Sequence, residues 1–221
     1  MTGTRTEVLD RRSSEGASWV ARQAGWLLLA NVLLVLCSQI AIPLPWTPVP
    51  LTLQTFGVLL IAVFFGARTS ALAALLYLVE GAAGLPVFQP FGAPGAARLF
   101  GPTAGYLLAF PAAAFVAGRL TEILSARAAA ARQREAETER AADPQASRAG
   151  AGAGRGVSAW LAIAAALLAG DAIIVASGWA WLASLVGGGA AFAQGVLPFL
   201  AGDAVKIGVA ATIAQSMRPK S

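Results

Sequence analysis

The sequence has no histidine, a single cysteine, and little charge: 12% of its 221 residues are charged, against 57% hydrophobic. Without imidazole, histidine-ligated metal sites and serine–histidine–aspartate catalysis are excluded. Cys37 lies in an apolar stretch, allows no intramolecular disulfide, and reads as a packing residue. No glycine-rich phosphate loop ending in Lys-Ser or Lys-Thr is present, so the chain cannot itself draw energy from ATP hydrolysis. Soluble domains have about a quarter of their residues charged. A chain with half that share, and with several long uncharged stretches, is expected to sit in a lipid bilayer. The net charge of +5 comes from arginines in the flanks and one linker. It therefore reads as loops facing anionic lipid, with no nucleic-acid partner expected.

What is present is apolar length. Crossing the hydrocarbon core takes roughly 20 residues of helix, and six segments approach that length: 24–42, 53–66, 68–85, 101–121, 157–186 and 190–216. The expected architecture is an all-α integral membrane protein with six transmembrane helices. It comprises a cytoplasmic tail over 1–23, four helices within 24–121, a cytoplasmic linker over 122–156 and two helices within 157–216. The N-terminal apolar segment lacks a small-residue cleavage signal and is expected to be retained. Arg5, Arg11, Arg12, Arg22, Arg68, the arginines from Arg119 to Arg155, Arg218 and Lys220 then all fall on one side. That side should be cytoplasmic, with both termini. The linker divides in two: "SARAAAARQREAETERAA" favours helix by propensity alone, whereas "DPQASRAGAGAGRG" has a linker's composition.

The opposite side carries two unusual loops. "IPLPWTPVPLTLQT" holds four prolines between Ile42 and Leu51, favouring an extended segment, with Thr52 as a plausible cap for the second helix. That helix is short, so Gln54 and Thr55 at its start are placed below the outer surface, where polar groups survive by lining a cavity or pairing with protein. "GLPVFQPFGAPGAARLFGPTAGYL" mixes turn formers with aromatics; Phe88 and Tyr106 read either as interfacial anchors or as parts of a lid. Gly101 and Pro102 suit the start of the fourth helix. Gly101, Gly105, Ala109, Ala113 and Ala117 form a small-residue ridge for close helix packing. Arg98 is the one cation of this external loop and is expected to be screened by water and salt.

Four ionisable residues fall inside spans: Glu80, Asp171, Asp203 and Lys206. A charge at mid-helix costs about 2.5–3.5 kcal/mol on insertion scales, so each needs a partner or a task. Asp203 and Lys206, three apart, lie about 60° apart around a helix and can offset each other. They read either as a structural ion pair or as a site for a ligand with N–H donors and an acceptor or anionic end. Glu80 reaches either the interface or the same cavity. Asp171 has no evident local partner and reads as a protonated or helix-bonded carboxyl. Ala-Gly-Asp occurs at 169–171 and again at 201–203, which raises an intramembrane aspartyl protease as an alternative of another class. The Gly-x-Gly-Asp and Tyr-Asp motifs of such enzymes are missing, and Lys206 would keep Asp203 ionised, so the chain is read as a non-enzyme.

The strings "PVPLTLQT", "YLVEGAAGLPVF", "GPTAGYLLAF" and "LPFLAGDAVK", in this order on apolar segments, resemble the biotin-specific substrate-binding component of bacterial energy-coupling-factor (ECF) transporters, the BioY family. The resemblance covers roughly residues 24–120 and 157–215. It implies a multi-pass protein of the bacterial cell membrane that captures biotin from outside and needs no cofactor. Its implied partners are a transmembrane coupling protein and two ATPase subunits. Gly202, Asp203 and Lys206 carry over as ligand contacts: Asp203 for the ureido N–H groups, Lys206 for either the ureido oxygen or the valerate carboxylate. Arg98 carries over as the arginine of the binding region. With Gln54, Tyr106, Phe88 and Glu80, these residues make up the candidate substrate-binding set. A solitary biotin facilitator and a component for another vitamin are the alternatives of the same class. Two features depart from the family pattern. On the first helix "LLLANVLLVLCSQI" offers only Ala30, Cys37 and Ser38 in place of small residues four apart, and the linker is long.

The arginine distribution predicts that a cysteine introduced at Ala93 reacts with an impermeant thiol reagent in intact cells. Labelling in broken cells alone would overturn this orientation.

Overall fold

The computed structural model describes residues 5–142 and 153–217. In chain order the elements are α1 (Arg5–Gln39), β1 (Ala41–Ile42), β2 (Leu51–Thr52), α2 (Gln54–Ala82), a 3-10 turn (Gly95–Phe100), α3 (Ala104–Ala142), α4 (Ala153–Val186), α5 (Gly188–Gly195) and α6 (Leu197–Ser216). The protein is mostly helical. The departure from an all-α chain is β1–β2, an antiparallel pair with Ala41 opposite Thr52 and Ile42 opposite Leu51, which draws together the two ends of the proline-rich loop. Thr52 does act at the start of α2, where its hydroxyl accepts the Gln54 N–H at 3.3 Å. Among the described residues, five helices are long and apolar enough to cross a membrane: Ser18–Gln39, Gln54–Ala82, Ala104–Glu135, Ala159–Val186 and Leu197–Ser216.

The second of these, α2, is not one rod. A straight helix would separate residues 54 and 77 by about 34 Å, yet the Gln54 amide donates to the Tyr77 hydroxyl at 2.7 Å. The chain reverses at Gly66, whose φ of 76° and ψ of 171° interrupt the helix, a region of backbone space that is essentially glycine's alone. Two groups hold the reversal. The Ser70 hydroxyl lies 2.7 Å from the carbonyls of both Ile61 and Gly66, which share its one O–H, and Glu122 of α3 accepts the Ala67 N–H at 2.9 Å while pairing with Arg119 at 2.8 Å. α2 is therefore a hairpin with arms 54–65 and 67–82, the first spanning only about 18 Å.

Other boundaries differ from expectation: α1 already begins at Arg5, within the expected tail 1–23. The segment 190–216 is divided into α5 and α6 by Val196, with Pro198 in the first turn of α6. α3 starts at Ala104 and not at Gly101: Gly101 caps the preceding 3-10 turn, and Pro102 sits in a further turn that the Ala104 N–H closes on the Gly101 carbonyl at 3.0 Å. It then runs on to Ala142, through the stretch whose propensity favoured helix. The linker residues 143–152 lie outside the described residues.

Packing follows membrane rules, in which small residues permit close approach and polar groups pair internally. The ridge of α3 meets α4: a Cβ on Gly105 would collide with Trp181 and the Ser177 carbonyl, and Gly170 faces Ala117 and Ala113. One core cluster joins Leu34, Val58, Tyr77, Phe110 and Ile174 across α1 to α4. A second joins Leu59, Leu167, Ile207 and Ala211 across α2, α4 and α6. Large apolar side chains such as Leu28, Leu72, Leu108, Leu161 and Val205 point outward, as a lipid-facing surface requires.

Gly66→Ala forces a Cβ toward the Glu122 carboxylate on a backbone that alanine avoids. The expected cost is about 1–3 kcal/mol, read as a lower thermal midpoint in detergent, while an unchanged midpoint would show that the reversal tolerates a side chain.

Candidate functional site

α6 presents Phe199, Asp203 and Lys206 on one buried face, at the four- and three-residue steps that line up side chains on a helix. Lys206 Nζ lies 2.9 Å from Asp203 Oδ1 and donates to the Thr55 hydroxyl at 2.9 Å. Asp203 is 5% exposed and Lys206 9%, so water does little to screen the pair, and pairing is what makes the two charges tolerable. Among the described residues the pair is incompletely used. Asp203 Oδ2 has no hydrogen-bond partner, and Lys206 has a third N–H to give.

Both side chains line a cleft of about 510 Å³, counting space open to solvent. The first arm of α2 contributes Gln54 and Thr55, α3 contributes Tyr106 and Phe110, and α4 contributes Ile174 and Val175. Val49 and Pro50 close it from the proline-rich loop, which Thr47 fastens to α5 by donating to the Gln194 carbonyl at 2.8 Å. A second cleft, of about 560 Å³ on the same measure, shares Pro50, Gln89 and Thr103 with the first and includes Arg98. The walls are thus apolar with a few convergent polar groups, the pattern of a small-molecule site.

Of the candidate residues, Asp203, Lys206, Gln54 and Tyr106 come together around the first cleft. Gln54 is fixed by its bond to Tyr77. Tyr106 donates to the Gly195 carbonyl at 2.8 Å, and its ring lies where a Cβ on Gly178 would be, so the aromatic wall stands at a position that glycine leaves open. Arg98 stands in the second cleft. The expectation that it is water-screened is wrong: it is 6% exposed. It donates to Ala93 at 2.9 Å, to Gln89 at 3.0 Å and to Phe91, in each case to the backbone carbonyl. Burial lowers the pKa of its guanidinium from the ordinary value, and the three carbonyls hold the cation as a staple for the loop.

Two candidates stand apart. Glu80 is not among the lining residues; its carboxylate accepts from Asn31 of α1 at 3.1 Å, and that interhelical partner accounts for its presence in the span. Phe88 is not among them either. It is a core residue, edge-on to Tyr77 with centroids 5.3 Å apart, above the space left by Gly81. Asp171 is 6% exposed, and no protein donor reaches its Oδ1, so that oxygen is not bonded to its own helix. Asp203 is bound to Lys206 and not to Asp171. Among the described residues no group of three or more Cys, Asp or Glu side chains could hold a metal ion.

The reading of the residues missed Gln89, Thr103 and the role of Thr55 as the anchor of Lys206. Signals existed for two of these: Gln89 is a lone amide between Phe88 and Pro90, and Thr55 stands beside Gln54 at the start of an apolar helix.

Comparison with known proteins gives a consistent picture. The sequence model of the BioY family matches residues 9–221. The probable biotin transporter BioY of Pyrococcus horikoshii is 36% identical over 77% of this chain and 82% of its own. The biotin transporter BioY of Rhizobium etli is 32% identical over 86% of this chain and 89% of its own. Among solved structures, the S-component for biotin from an ECF-type ABC transporter superposes with a TM-score of 0.67 over 92% of this chain and 94% of that one, at 19% identity.

Proposed function

The chain belongs to the BioY family, and from that premise we propose that it is the biotin-capturing S component of an ECF-type transporter. The observation that carries this reading is the Asp203–Lys206 pair, buried in a cleft and left with one carboxylate oxygen and one ammonium N–H to spend. Biotin offers what the pair lacks: ureido N–H donors for Asp203, and a ureido oxygen or a valerate carboxylate for Lys206. Charge-assisted hydrogen bonds formed away from water are strong and directional, which suits capture of a dilute vitamin. Gln54, Tyr106 and the hydrophobic walls enclose the rest of the molecule, with Arg98 at the outer cleft. The bound vitamin needs no cofactor.

Counting the arms of α2 separately, α1, α2, α3, α4 and α6 make six crossings, with both termini on the cytoplasmic side of a bacterial plasma membrane. In this arrangement residues 122–156 form a cytoplasmic linker between the four-helix and two-helix parts, and the clefts open outward. Having no phosphate loop, the chain would take its energy from a transmembrane coupling protein and two ATPase subunits. A second reading is a solitary facilitator: α1 spaces small residues four apart at Ala17, Ala21 and Gly25, but its stretch 27–40 offers only Ala30, Cys37 and Ser38 where a coupling protein would dock.

Two experiments test the reading. Asp203→Asn is expected to weaken biotin binding by about 1.5–3 kcal/mol, the range for hydrogen bonds to a charged group, in protein that still folds. Lys206→Met should weaken it at least as much, because Asp203 is left buried without its cation. A purely structural pair gives the reverse: both variants melt earlier, and the folded remainder binds biotin with unaltered affinity. Separately, replacing residues 128–154 by a short Gly/Ser linker should leave biotin affinity unchanged. ATP-dependent uptake that needs the coupling module supports the S-component reading, and uptake indifferent to ATP supports the facilitator.

A further inference from the structure

Three buried side-chain oxygens among the described residues have no hydrogen-bond partner: Gln89 Oε1, Thr121 Oγ1 and Asp171 Oδ1. Gln89 is the one that lines the clefts, and it lines both of them. It is 5% exposed and stands where the cleft of Asp203 and Lys206 meets that of Arg98.

The backbone on either side of this residue is fixed. Arg98 Nη2 donates to the Gln89 carbonyl at 3.0 Å, and Gln39 Nε2 of α1 donates to the Phe88 carbonyl at 3.2 Å. Ser38 donates to the Val87 carbonyl, and the Phe88 ring packs edge-on against Tyr77. These contacts come from three separate parts of the fold, and a side chain supported in this way is held ready for whatever reaches it. A buried amide oxygen with no donor is costly to the folded chain, and each such group calls for an explanation. A donor arriving with the substrate supplies one.

We propose that the side-chain carbonyl of Gln89 accepts an N–H hydrogen bond from the bound substrate at the junction of the two clefts. The proposal rests on the biotin reading and deepens it. Biotin has two ureido N–H groups: Asp203 Oδ2 takes one and Gln89 Oε1 the other. The site then selects cyclic ureas with both nitrogens unsubstituted: an analogue lacking the hydrogen that meets Gln89 leaves a buried oxygen unpaired, and one lacking the other forfeits a charge-assisted bond to Asp203.

The test is biotin titrated into detergent-solubilised wild-type protein and into Gln89→Met, Gln89→Leu and Gln89→Glu, with thermal midpoints measured on the same preparations. The two biotins methylated at one ureido nitrogen are titrated alongside. Met and Leu keep the bulk and remove the acceptor, so binding should weaken about tenfold in whichever of them folds, without a lower midpoint. Glu keeps an acceptor and should stay within about threefold of wild type. One methylated biotin should bind wild type more weakly yet lose nothing further on Gln89→Met, the non-additivity of a shared contact. Wild-type affinity in Met or Leu, or equal losses in Glu and Met, would overturn the role of Gln89 and leave the biotin reading standing. A wild-type protein that does not bind biotin would overturn that reading, and this proposal with it.

Discussion

The bond from Lys206 to Thr55 joins residues 151 positions apart, and through it α6 meets the first arm of α2 across the cleft. Lys206 is tolerable in an apolar bundle only because oxygens receive its N–H groups, and Asp203 only because a cation stands beside it. Each requirement constrains backbone as well as side chain. Thr55 has to stand level with the face of α6, so α2 has to begin well inside its neighbours' reach, and Gly66 has to turn it back early. The short first arm, the proline-rich loop above it and the hairpin below it thus follow from where a single ammonium finds its acceptors.

The other polar residues of the bundle follow the same economy. Asn31 serves Glu80, Gln54 serves Tyr77, Ser70 serves the carbonyls at the turn, and Glu122 caps the second arm. Lipid provides no hydrophobic contrast between one helix and the next, so these bonds and the small-residue contacts of α3 with α4 set which helix neighbours which. The loop before α3 is organised differently. There a buried guanidinium gathers three backbone carbonyls, giving an irregular segment the internal partners that a helix supplies for itself.

The helical class, the apolar segments and the Asp203–Lys206 pair were legible in the sequence, because hydropathy over about 20 residues and a three-residue spacing are local quantities. Glu80 and Phe88 do not line the clefts, for a reason that is not local: whether such a polar or aromatic residue faces a cavity or a neighbouring helix depends on a partner, here Asn31 or Tyr77, that lies elsewhere in the chain. Arg98 was read as screened because a loop position says nothing about the carbonyls that fold over it. The break at Val196 escaped notice because its neighbours are as apolar as those of an unbroken helix, and the hydropathy pattern is blind to a change of direction.

The ring of Tyr106 occupies the space where Gly178 has no side chain, and Phe88 does the same over Gly81. Each aromatic residue is therefore spelled at two places in the gene, once as a ring and once as a missing methyl group. Substitutions at either member alone meet a collision or a void, so these positions should change in pairs when related chains are compared. The width of the cleft is inherited through the glycine as much as through the tyrosine.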